Sequence, residues 1–172
     1  MKLEFKVFES KSFPLLDYVW FDLTRFEVSG SPDDRRSART VLEELIRAPI
    51  FQRSLCTSPD PWGAGKGLHG PFEVEKLSVG CFQPVAPREL KGRIDGIWQE
   101  SDFDRPPPSW QLEPVEGWAK EVLDRNEEVF ILDPASSVDA KVDWAFVWIL
   151  FWEAISLSRD HTEATVAIIG LD

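Results

Sequence analysis

At the start of the chain apolar and polar residues alternate, with Leu3, Phe5 and Val7 on one side and Lys2, Glu4 and Lys6 on the other. A period of two is the mark of a half-buried strand, so 2–8 is expected to be one. Pro14 interrupts it. Aromatic and β-branched residues crowd the next stretch, 15–30, and favour one or two further strands. The alternative there is a helix, because Leu16, Val19, Trp20 and Leu23 share a helical face. The period then changes. Ala38, Val41, Leu42, Leu45 and Ile46 recur at the spacing of one helix face. Ser31 offers an N-cap, Pro32 suits the first helical position, and Asp33 and Asp34 fall in the positive first turn. Pro49 cannot continue such a helix, which is therefore predicted over 32–48.

Glycine and proline make 58–70 a loop. The stretch 72–82 is strand-like, with a shift of phase between Val74 and Leu77 that predicts a bulge or turn near Glu75 and Lys76. Three consecutive prolines, Pro106 to Pro108, predict extended backbone. Pro114 then opens a second helix over 114–126, with Val115, Trp118, Ala119, Val122 and Leu123 on one face and Asn126 as its stop. The segment 128–132 (EVFIL) reads as a buried strand.

The most apolar stretch is 144–152, nine residues without a polar break that hold three of the eight tryptophans. A helix here would be apolar all round, which a chain of 172 residues rarely covers. A strand covered on both faces suits it better, and 163–171 (EATVAIIGL) reads as its partner. A C-terminal β-hairpin, about 143–153 and 163–171, is expected, with its loop around Arg159 to His161. The pattern as a whole predicts one α+β domain over 1–172, a mostly antiparallel sheet of about five or six strands with two main helices.

Charge sharpens this picture. The net charge is −11, and it is lopsided: up to Ala86 there are 11 basic against 12 acidic residues, and from Pro87 onward 8 against 18. Such a surface repels phosphate backbones, which argues against direct nucleic-acid binding and for a basic protein partner. The longest apolar run is too short to span a bilayer, and the N-terminus has no continuous apolar core of a signal peptide. Two isolated cysteines, Cys56 and Cys81, are expected as reduced thiols, so the expected compartment is the cytoplasm.

No catalytic, cofactor or metal motif emerges. The GAGKG run at 63–67 lacks the first glycine and the Ser or Thr of a phosphate loop. His69 and His161, the only histidines, lack metal-ligand spacing. An acid/base site near Glu153 and His161 is an alternative if the two converge, although Glu153 more readily marks the point where a strand leaves the core and His161 a solvated loop group. Pro84 and Pro87 fit the outline of a PxxP ligand.

The strongest functional signal is the acidic window 95–128, ten carboxylates against three basic residues, with Trp98, Trp110 and Trp118 interleaved. Helical spacing makes Trp118 core. Tryptophan surrounded by carboxylates is the composition of a hot spot for a basic partner, and Trp98, Asp102, Asp104, Trp110, Glu113 and Glu116 are the candidate contact residues. Trp110, after three prolines, is the first candidate for an exposed anchor.

A small, acidic α+β chain with this window and the FWEAI…ATVAIIGL strand pair resembles, at the level of class, the bacterial immunity proteins that neutralise polymorphic or contact-delivered toxins. No signature pattern spans the chain, so no functional residue is carried over. The resemblance implies an inhibitor that covers a toxin's active site, with a nuclease best matched to the charge. A phage-encoded acidic mimic of nucleic acid is a further alternative.

Overall fold

The computed structural model describes residues 3–16, 18–31, 33, 35, 37–53, 67–100, 105–143, 145 and 149–171. Strands β1 (Glu4–Leu16) and β2 (Val19–Ser29) form the first hairpin, turning through Tyr18 at a positive φ of 66°. Pro14 does not interrupt β1 as the sequence suggested. It sits inside the edge strand, opposite Trp20 and beside a register shift between Pro14 and Leu16, and edges and bulges are where sheets tolerate proline. The strand reading of 15–30 holds over the helical alternative, because Phe21 and Leu23 bury on one face of β2 while Phe26 and Val28 bury on the other.

Helix α1 (Ala38–Arg47) is shorter at its start than predicted. Ser37, not Ser31, is the N-cap, its hydroxyl accepting from the Thr40 amide at 3.2 Å. Ser31 instead closes a separate turn, accepting from the Asp33 amide. The apolar stripe of the helix was legible, whereas two competing cap signals lay six residues apart. Beyond α1, two very short strands, β3 (Leu68–His69) and β4 (Phe72–Glu73), pair with each other. The predicted phase break is a 3-10 turn at Val74–Lys76, so 72–82 is not one strand; a second 3-10 turn at Val79–Cys81 leads into β5 (Phe82–Val85).

Helix α2 (Pro87–Glu100) has no counterpart in the sequence reading. Its signals were present: Pro87 at the first position, Glu89 in the first turn, and Leu90, Ile94 and Ile97 buried along one face. Gly92 and Gly96 lowered its propensity and obscured them. Pro84 lies in β5 and Pro87 in α2, which rules out a polyproline ligand conformation there. Helix α3 (Ser109–Arg125) begins five residues before Pro114, which is inside it. It ends where predicted, with Asn126 in the left-handed conformation and backbone bonds from Asn126 to Leu123 and from Glu127 to Val122.

The remaining strands are β6 (Glu128–Leu132), β7 (Leu150–Leu157) and β8 (Glu163–Leu171). The sheet runs β1-β2-β8-β7-β6-β5 with every neighbouring pair antiparallel. The predicted terminal hairpin is present, but its first strand starts at Leu150 rather than 143, and its deepest part is Glu153 to Leu157. Ile149, inside the apolar run, is 77% exposed; Trp144 and 146–148 lie outside the described residues. The sheet is covered on both faces. On one lie α1 and the connections around β3 and β4; on the other lie α2 and α3. Coverage on both sides explains why β8 reads as a nearly unbroken apolar run. Gly170 is required within it, since a Cβ there would lie 2.4 Å from the Trp20 ring on the neighbouring strand.

Candidate functional site

The acidic window divides by location. Glu121 turns toward the sheet and receives both Nη atoms of Arg25 on β2, at 2.8 and 2.6 Å. That hydrogen bond, with the positive charge behind it, lowers the Glu121 pKa and raises that of Arg25. Arg125 ties Glu121, the buried Glu127 and Glu163 of β8 together. The Glu128 carboxyl meets His161 Nε2 at 2.8 Å. These carboxylates hold α3 and β6 onto the rest of the fold. Sequence reasoning missed them because their partners, Arg25 and His161, come from distant parts of the chain.

The outward part is narrower. Trp110 is 67% exposed, near the start of α3. Glu113, Gly117, Lys120 and Asp124 follow it along one exposed helical stripe, with Glu116 at the flank. Lys91 on α2 sits 2.9 Å from Asp95 and 3.8 Å from Glu116, and so partly neutralises that edge. Glu113 has no ion-pair partner among the described residues. Trp98 on α2 is half-buried against the core beneath the helices, so only part of its ring is exposed. Trp118 is 2% exposed and packs 6.2 Å from Phe21, as its spacing predicted. Asp102 and Asp104 lie outside the described residues, as do Cys56 and all of GAGKG except Gly67. Cys81 is a buried free thiol.

Glu153 and His161 do not pair with each other. Glu153 is 0% exposed and bonds His69, which is 1% exposed, at 3.0 Å. The expectation that Glu153 marks the strand's exit from the core is therefore reversed: the strand enters its deepest segment there. His69 Nδ1 meets the Phe51 carbonyl at 2.7 Å, and a carbonyl can only accept, so Nδ1 carries a hydrogen. One proton is then left between Nε2 and the Glu153 carboxyl, and no ring nitrogen is free for a third group. The ring also stacks on Phe51, with centroids 3.8 Å apart. The other carboxyl oxygen, Oε1, is buried with no hydrogen-bond partner among the described residues.

This pair belongs to a polar patch on the α1 face of the sheet. Asp22, Ile168 and Glu153 are directly opposed across β2, β8 and β7, so they share a face. Arg53 grips Asp22 with both Nη atoms at 3.2 Å and reaches Thr24 at 2.8 Å. Arg53 and His69 thus clamp the two ends of 53–69 onto the sheet.

His161 repeats the arrangement at the other end of the hairpin. It is buried rather than solvated, at φ 56°, with Nδ1 donating to the Arg35 carbonyl at 2.6 Å. In the same loop Asp160 accepts from the Ser158 hydroxyl at 2.8 Å and from the Thr162 hydroxyl at 2.7 Å. The Thr162 hydroxyl, then that of Ser158, then the Thr162 amide lower its pKa to about 2. A depressed carboxylate pKa stabilises the fold above the unfolded value of roughly 3.9, and this contribution is lost as pH falls through about 2. An NMR titration of the Asp160 carboxyl is expected to show its midpoint near 2; a midpoint near the unfolded value would mean that these bonds do not form in solution.

Among the described residues no group of three or more His, Cys, Asp or Glu side chains is placed to hold a metal ion, and no helix is long and apolar enough to cross a membrane. No protein-family model, curated protein or solved structure matches this chain.

Proposed function

We propose that this chain is a binding protein for a basic protein partner, and that the outward stripe of α3 led by Trp110 is its contact surface. The observation that carries the reading is Trp110 itself. A tryptophan left 67% exposed on a regular helix adds little to folding, yet offers a large rigid ring for a partner's pocket. Glu113 and Glu116 flank it, and the net charge of −11 attracts a basic surface over long range. The resemblance to toxin-immunity proteins makes a cognate toxin with a basic groove the partner class. The mechanism is occlusion: carboxylates take the place of substrate phosphates while the indole fills a pocket. A cytoplasmic setting belongs to the same reading.

The test is capture from the native host followed by kinetics. A basic protein, encoded beside this one, is expected to associate at a rate that falls steeply with salt. Trp110→Ala is expected to weaken binding by about 2 kcal/mol, roughly 30-fold, at the lower bound of a hot spot. Thermal stability stays nearly unchanged. A large fall in melting temperature, or full affinity without the ring, would remove α3 as the contact surface.

A further inference from the structure

The outer edge of β1 is unpaired among the described residues, although the strand is 13 residues long. A long open edge invites pairing, and proteins manage it with charges, prolines and bulges. Here those devices form a pattern. The β1–β2 register slips between Val7 and Glu9, leaving Phe8 as the extra residue of a bulge. Before the bulge, Glu4 and Lys6 oppose Ser29 and Glu27; after it, Glu9 and Lys11 oppose Arg25 and Leu23. All four partners are odd-numbered residues of one strand, so the bulge brings Glu4, Lys6, Glu9 and Lys11 onto the same face of the sheet. Without it, Lys6 and Glu9 would point to opposite faces.

Four charges in the order acid, base, acid, base on one face are complementary to themselves read backwards. With two antiparallel copies of β1 centred between Val7 and Phe8, Glu4 falls opposite Lys11 and Lys6 opposite Glu9, each pair occurring twice. Shifting the sum of paired numbers by two in either direction sets Glu4 against Glu9, or Lys6 against Lys11. The favourable register is thus flanked by two like-charge registers, which cross-strand repulsion disfavours. The centre carries exposed apolar surface, Phe8 at 53% and Val7 at its margin. The strip is also locally neutral in a chain of net charge −11, so it is where a second copy meets least repulsion.

We propose that β1 is a homodimer edge, joining two copies of this chain through the register that pairs Glu4 with Lys11 and Lys6 with Glu9. The two sheets become one, and the two-fold axis stands perpendicular to it, so both α2–α3 layers lie on the same side. The edge is distinct from the Trp110 stripe, and the proposal stands whether or not that stripe binds a toxin.

Sedimentation equilibrium of the whole protein up to about 1 mM covers even weak association. A concentration-dependent dimer is expected. Glu4→Lys alone and Lys11→Glu alone each replace two attractive pairs by repulsive ones and weaken the dimer by about tenfold. The double variant restores it. Both positions are exposed, and circular dichroism of each variant serves as the folding control. A monomer throughout, a dimer indifferent to the single reversals, or a double variant as weak as the singles would each overturn the proposal.

Discussion

Replacing His69 by alanine is expected to lower stability by about 3–5 kcal/mol, the scale for a change that strands a buried carboxyl group and removes a packed ring. At roughly 2–4 °C per kcal/mol for a chain of this size, the melting temperature falls by about 10 °C. Three losses combine. Glu153 keeps its place at 0% exposure with neither carboxyl oxygen bonded, the Phe51 carbonyl loses its donor, and the stacked ring against Phe51 leaves a gap. Glu153→Leu in the same background is expected to recover part of the loss, since the stranded carboxyl disappears. Urea denaturation of the two single variants and the double closes the cycle. Additive effects, or a loss under about 1 kcal/mol for His69→Ala, would show that the pair does not hold 67–70 to β7.

Trp118→Ala is expected to cost about 3–5 kcal/mol, as for other large core truncations. The ring fills the layer between α3 and the sheet beside Phe21, Val115 and Val122. Trp118→Phe should cost far less, because the indole N–H has no hydrogen-bond partner among the described residues to lose. Eight residues earlier in the same helix, Trp110→Ala should leave the denaturation midpoint nearly unmoved. Calorimetry of the three variants separates a ring used for folding from one available for binding. Equal losses at 110 and 118 would contradict their difference in burial.

The acidic window shows how far charge composition can be read. Its sum from 95 to 128 is a property of the chain, but the freedom of each carboxylate is not. Glu121, Glu127 and Glu128 are engaged by Arg25, Arg125 and His161, while Glu113 on the outer stripe has no ion-pair partner among the described residues. Only the fold could make that division, since Arg25 and Glu121 are 96 residues apart in the chain. Glu153 was misjudged for the same reason. A lone carboxylate at the end of an apolar run reads as a boundary until the partner that permits its burial, 84 residues earlier, is known.

By itself the sequence determined the α+β class, the antiparallel terminal hairpin, the apolar face of α1, the stop of α3 at Asn126 and the split between Trp110 and Trp118. These follow from local periodicity and backbone preference, which act over a few residues. The tertiary structure alone decided the strand order, the existence of α2 despite two glycines, the strand through Pro14 at a sheet edge, and the pairing of each histidine with a remote glutamate. Each depends on what lies across the sheet rather than along the chain. The run 144–152 shows both sides: its apolar character signalled a covered strand, but the fully buried part of β7 begins only at Glu153. The sheet places that carboxylate beneath His69, and burial follows the position of its partner rather than the hydropathy of its neighbours.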